Sequence, residues 1–165
     1  MELCNALSKG GIQSAEIMVE HLGQIGHNQY KELPTEEFNK KSYPLPRDII
    51  ARTLAHMKED ILPILLDVFK TNNTAAIREV IDAIGFICFY NKVNSDTQFI
   101  EVLKQCLKNH YKDDMIRWKL VRAFESFNNI NVIQTLMGIG KHDSQMVIRN
   151  EARRSLRIIN SRIEN

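Results

Sequence analysis

The feature that most constrains this chain is an apolar stripe near its C-terminal end. Ile148, Ala152, Leu156, Ile159 and Ile163 step by four, four, three and four residues, which sets them on one face of a helix. Arg149, Arg153 and Arg157 also step by four and form a second stripe beside the first. A helix with one apolar face cannot bury that face alone, so the rest of the chain must supply helices to pack on it.

Upstream copies of the unit supply them. With Leu22, Ile84, Phe124 and Leu156 aligned, the intervals are 62, 40 and 32 residues. Four positions earlier stand Met18, Val80, Leu120 and Ala152; eight earlier stand Ser14, Ala76, Ile116 and Ile148. Antiparallel helix pairs that recur at roughly 30–45 residues stack into a solenoid, each burying its face against its neighbours.

Read in order, the chain predicts a short helix around Leu3–Leu7, then a helix over 11–26 that Gly23 and Gly26 bring to an end. Residues 27–46 are predicted irregular, with one helical turn at Thr35–Lys40. There Tyr43-Pro44-Leu45-Pro46 favours an extended backbone, because two prolines fix φ. Pro46 suits the start of a helix over 47–57, and Pro63 suits the first turn of the next. Further helices carry Ile77–Cys88, Phe99–Leu107, Ile116–Phe127 and Val132–Ile139. Ser95 with Gln98 is a capping-box pattern, and Gly138 and Gly140 mark a helix end. No segment alternates with the period of a strand, so the predicted class is all-α.

The repeated unit resembles the HEAT-repeat family. There, a helix and an Asp-containing turn lead to Val/Ile-Arg at the opening of a second helix with a small residue and a Leu. The last copy carries Asp143, Ile148-Arg149, Ala152, Ser155 and Leu156; the third carries Asp113, Asp114, Ile116-Arg117, Ala123 and Phe124. The second keeps Pro63, Ala83, Ile84 and Gly85, but its arginine, Arg78, is displaced by one and its turn lacks Asp. The first keeps Leu22-Gly23 and has Ala15 where the arginine belongs. The resemblance covers most of 11–163 and is closest over 60–163. It implies one armadillo-like domain over 1–165, a superhelix of about four helix pairs. Residues 1–29 would be an incomplete first repeat, 30–46 an insertion after it, and 47–165 three better-formed repeats. It also implies that Asp143 and Arg149 close the last turn as an internal pair, and that Arg117 pairs likewise with Asp113 or Asp114.

Charge is unevenly spread. Residues 115–165 hold 9 Lys+Arg against 4 Asp+Glu, while the whole chain is only +2. The asymmetry predicts a surface for something acidic, centred on Arg122, Arg153, Arg154 and Arg157. The competing reading is that these arginines are simply solvated. Trp118 either stacks on a base or packs between repeats. Tyr43 belongs either to a recognition loop or to a stiff connector.

Other chemistry finds no support. His21, His27, His56, His110 and His142 show no ligand spacing with Cys or carboxylates, so no metal and no cofactor are expected. The only Glu/His neighbours, Glu20-His21, run in the reverse order to the His-Glu pairs of helical-repeat deoxyhypusine hydroxylases. Gly138-Ile139-Gly140-Lys141 lacks the other positions of a phosphate loop. Three distant cysteines suggest reduced thiols in the cytoplasm, and no apolar run is long enough to cross a membrane. The expectation is therefore a non-enzymatic scaffold that binds a protein on its concave face or insertion. The alternative is a nucleic-acid-binding helical repeat in the style of the HEAT-like DNA alkylation-repair proteins, using the basic last third.

Overall fold

A computed structural model describes residues 2–91 and 97–163, and among them there are helices and loops and no strand. The helices are α1 (Glu2–Ser8), α2 (Gly11–Val19), α3 (Ile49–Ala55), α4 (Leu62–Asp67), α5 (Thr74–Asn91), α6 (Thr97–Asn109), α7 (Asp114–Ala123), α8 (Ile130–His142) and α9 (Met146–Ile163). The expected all-α class is what forms. Ser95 and the side chains of Leu3 and Ile163 lie outside the described residues.

Local chemistry explains the starts. Asp48 stands at the N-cap of α3 in extended conformation and accepts from the Ala51 N–H at 2.8 Å. Asn73 does the same for Ala76 at 3.1 Å, and Asp113 for Ile116 at 3.0 Å. Each satisfies a donor that the first helical turn leaves unpaired. Pro63 sits in the first turn of α4, where its missing N–H matters little.

Several boundaries differ from expectation. The helix predicted over 11–26 stops at Val19; beyond it Gly23 takes a φ of +74°, and a Cβ there would stand only 3.1 Å from Ala75. Only glycine tolerates both at once. Thr35–Lys40 forms no helical turn. Gly138 and Gly140 lie inside α8 rather than at its end. A Cβ on Gly140 would stand 3.5 Å from the Arg153 side chain, so α9 packs closely there.

α3, α5, α7 and α9 lie side by side in that order, and α6 and α8 pack on α7 and α9 as their preceding partners. α2 packs against α4 and α3. Leu22, aligned by spacing with Ile84, therefore lies beyond the end of α2 and outside the row that Ile84 belongs to. The long irregular segment joins α2 to α3. The core runs the length of the row through Leu54, Ile84, Leu120, Phe124, Ile148 and Ala152, all fully buried. Continuous burial of one helix face against the next supplies the main stabilisation.

Candidate functional site

Three successive helices of the row each present two charged side chains three residues apart: Glu79 and Asp82 on α5, Lys119 and Arg122 on α7, Glu151 and Arg154 on α9. The spacing between helices is the same 40 and 32 residues as the apolar repeat, so these residues fall in two columns. All six are buried, as is Glu125 in the turn that follows α7.

Buried charge must be paired, and here it is. Lys119 Nζ stands 2.9 Å from Glu79 Oε2 and 2.9 Å from Asp82 Oδ2. Arg122 grips Glu151 with two bonds of 3.0 Å, and Arg154 bridges Glu151, at 3.0 Å, to Glu125. Burial alone would lower the Lys119 pKa, but Asp82 and Glu79 outweigh it and hold the ammonium charged. Arg122 is held charged by Glu151 in the same way. Glu125 goes the other way: burial pushes it up to about 7 in spite of Arg154.

The irregular segment 27–46 lies over this charged face. Arg154 donates from Nε to the Phe38 carbonyl at 2.6 Å and from Nη2 to the Lys40 carbonyl at 3.2 Å. The Phe38 ring sits between the guanidinium groups of Arg154, at 5.0 Å, and Arg122, at 5.6 Å. Arg122 also stacks on Trp118 at 4.0 Å, and Tyr30 meets the edge of that indole at 5.1 Å. Asp48 ties the segment's start by accepting from Gly23 N–H and Gln29 Nε2. Further along, Tyr43 packs on Phe86 and Phe89, its ring so close to Gly85 that a Cβ there would fall 1.9 Å from the hydroxyl. Arg162 lies 4.4 Å over Phe89 and donates to the Phe89 and Glu125 carbonyls. A cleft of about 300 Å³ remains beside the segment, bordered by Tyr30, Phe38, Arg47 and Arg122.

The residues expected to bind a partner therefore separate into two groups. Arg122 (4% exposed), Arg154 (5%), Tyr43 (3%) and Trp118 (1%) are enclosed between the row and its own segment. Arg153 and Arg157 are exposed. Four of the nine basic side chains in the last third, Arg117, Lys119, Arg122 and Arg154, are consumed inside the protein.

Of the two expected turn pairs, Arg117–Asp114 forms, whereas Asp143 and Arg149 do not meet through their side chains. Arg149 donates to the main-chain oxygens of Asp143 and Ser144 rather than to the Asp143 carboxylate. That carboxylate belongs to Arg117, whose Nε lies 3.0 Å away. Arg117 also pairs with Asp114, at 2.9 Å, while Asp113 pairs with Arg78 at 2.7 Å. Partial burial would raise the Asp113 pKa, but the Arg78 and Ile116 donors outweigh it and hold the carboxylate below its usual range. So the Asp and Arg positions link one helix pair to the next. The signal for the charged columns was present in the sequence as pairs three apart in repeat register; what was missing was the segment that covers them.

Burial pushes the Cys88 and Cys106 thiols up to about 12, so both are neutral at physiological pH. Among the described residues no His, Cys, Asp and Glu side chains group as a metal site would need, and no helix is long and apolar enough to cross a membrane. Comparison with protein-family models, with curated proteins and with solved structures returned no match.

Proposed function

We propose that the chain is a non-enzymatic protein-interaction module, a short HEAT-like superhelix in the reducing cytoplasm that holds other polypeptides. In this reading α2 with α3, α4 with α5, α6 with α7 and α8 with α9 are the helix pairs, and residues 30–46 are inserted within the first. The observation that carries it is the way the row holds segment 27–46. An irregular stretch of polypeptide lies across successive helices, fixed by Arg154 through main-chain carbonyls and by guanidinium–aromatic stacking around Phe38. This is how a solenoid's concave side holds a polypeptide. Because this side is already filled, the partner meets the exposed faces that remain, above all Arg153 and Arg157.

A second reading, a nucleic-acid-binding repeat, rests on one observation. The exposed charge of the α8–α9 hairpin is entirely positive among the described residues, since Asp143 and Glu151 are both paired internally.

The test is affinity capture on the intact chain after nuclease treatment, followed by reconstitution with each purified candidate. A defined binary protein complex is expected. Association that vanishes with nuclease, and no protein that rebinds in purified form, would remove the module reading.

A further inference from the structure

Two links of a ladder join successive helix pairs. Arg78 of α5 reaches Asp113, at the start of the next pair's second helix, at 2.7 Å. Arg117 of α7 reaches Asp143, in the turn between the helices of the next pair, at 3.0 Å. Arg149 of α9 is the next arginine in the series. Arg117 and Arg149 are set alike, each donating from Nη1 to the carbonyl six residues before it, Tyr111 and Asp143 respectively. Arg117 then meets a carboxylate from the next pair. Arg149 meets none among the described residues.

The surface around Arg149 continues the same character. Met146, Arg149, Arg153 and Arg157 step by three, four and four residues along α9 and share one face. Arg153 hydrogen-bonds to Asn150, at 3.3 Å, and among the described residues no ion pair engages Arg153 or Arg157. Met146 is 64% exposed. From α8 the same hairpin adds exposed Lys141 and exposed Met137. The hairpin thus presents four cations, two exposed methionines and no unpaired acid among the described residues. Exposed apolar side chains interleaved with unpaired like charge suit a ligand that brings both apolar contacts and opposite charge.

We propose that this end face of the α8–α9 hairpin docks an acidic, amphipathic segment of another protein. One of its carboxylates takes the position beside Arg149 that Asp113 takes beside Arg78 and Asp143 beside Arg117. The inference rests on the interaction-module reading and names its partner's chemistry. A protein segment fits better than a nucleic acid because Met146 heads the cationic stripe and exposed Met137 stands on the same hairpin, where a phosphate backbone offers no apolar surface to meet them.

The intact chain serves as bait for a displayed library of random peptides of about 16 residues, long enough for roughly four helical turns. Enriched sequences are expected to be acidic, with apolar residues at helical spacing. Synthetic copies are expected to bind at least about tenfold more weakly to Arg153→Glu/Arg157→Glu and to Arg149→Gln. The first variant touches only exposed side chains, so it stays informative should Arg149→Gln loosen its turn; circular dichroism melts check both. Enriched peptides without acidic bias, or binding indifferent to all three positions, overturn the inference and leave the module reading standing. Variant-sensitive binding of a short DNA duplex with no acidic peptide enriched also overturns it, in favour of the nucleic-acid reading. A library yielding no binder at all counts against both.

Discussion

Arg154 on α9 donates to the carbonyl of Phe38 at 2.6 Å across 116 residues of chain. The same guanidinium pairs with Glu125 and Glu151, which are buried. One side chain thus joins the irregular segment to the helical row while neutralising acids that water cannot reach. Replacing Arg154 with Met strands Glu125 and frees two main-chain carbonyls. The expected loss is about 3–5 kcal/mol by urea unfolding. Arg153→Met, one residue away and exposed, is expected to stay within about 0.5 kcal/mol. Equal effects of the two would contradict the division of the arginines into internal and external ones.

Lys119 should behave as a keystone of the same kind, being fully buried between Glu79 and Asp82. Lys119→Met is expected to destabilise by about 3–5 kcal/mol, because two acids are left without a partner. Converting Glu79 and Asp82 to Leu in the same chain should recover most of that loss, since an apolar replacement of a buried charged cluster is often neutral. If the triple variant remains as unstable as the single one, the network contributes more than mutual neutralisation.

Stability should depend on pH through Glu125. Its pKa rises from 4.5 in the ordinary state to about 7 in the fold, because burial disfavours the carboxylate. The folded state therefore binds the proton more tightly than the unfolded one. The contribution is fully present below pH 4.5 and is lost as pH rises through about 7. Relative to Glu125→Gln, the wild type should lose up to about 3 kcal/mol over that window. Glu79, also raised by burial, acts in the same direction. Paired thermal melts from pH 5 to 8 check the slope; parallel profiles for the two proteins would contradict it.

Tyr43 and Gly85 give a packing test whose sign is unusual. The Tyr43 hydroxyl is buried with no hydrogen-bond partner among the described residues. Tyr43→Phe is thus expected to be neutral or to stabilise by up to about 1 kcal/mol, as an unmet polar group is removed. Gly85→Ala drives a methyl to 1.9 Å from that hydroxyl, and overpacking there should cost about 1–3 kcal/mol. Chemical denaturation reads both. A strongly destabilised Tyr43→Phe would mean that the hydroxyl has a bonding role after all.

Much of the helical layout could be read from residues, because an apolar period of 3.6 recurs from segment to segment, although α3 starts at Ile49 behind Asp48 rather than at 47 behind Pro46. The end of α2 was missed, since nothing in Gly23 itself says that Ala75 will approach it. Arg122 and Arg154 fall in the right region of the sequence but read as surface, while Trp118 and Tyr43 leave a packed and an exposed alternative open. Spacing reports which residues share a helix face; it does not report that Phe38 and Lys40 will cover that face from the other end of the sequence. The alternating signs of Glu79, Lys119 and Glu151 were the available clue, because solvated stripes have no need to alternate between neighbouring helices.

The central claim is that the chain binds protein through the charge it leaves unpaired. Isothermal titration of a captured and purified partner against the wild type, Arg153→Glu/Arg157→Glu and Arg78→Gln tests it most directly. The account predicts at least about a tenfold loss for the double reversal. It predicts little change for Arg78→Gln, whose guanidinium is already paired with Asp113 of the same chain. Unchanged affinity in the double variant, with both proteins folded, would contradict it.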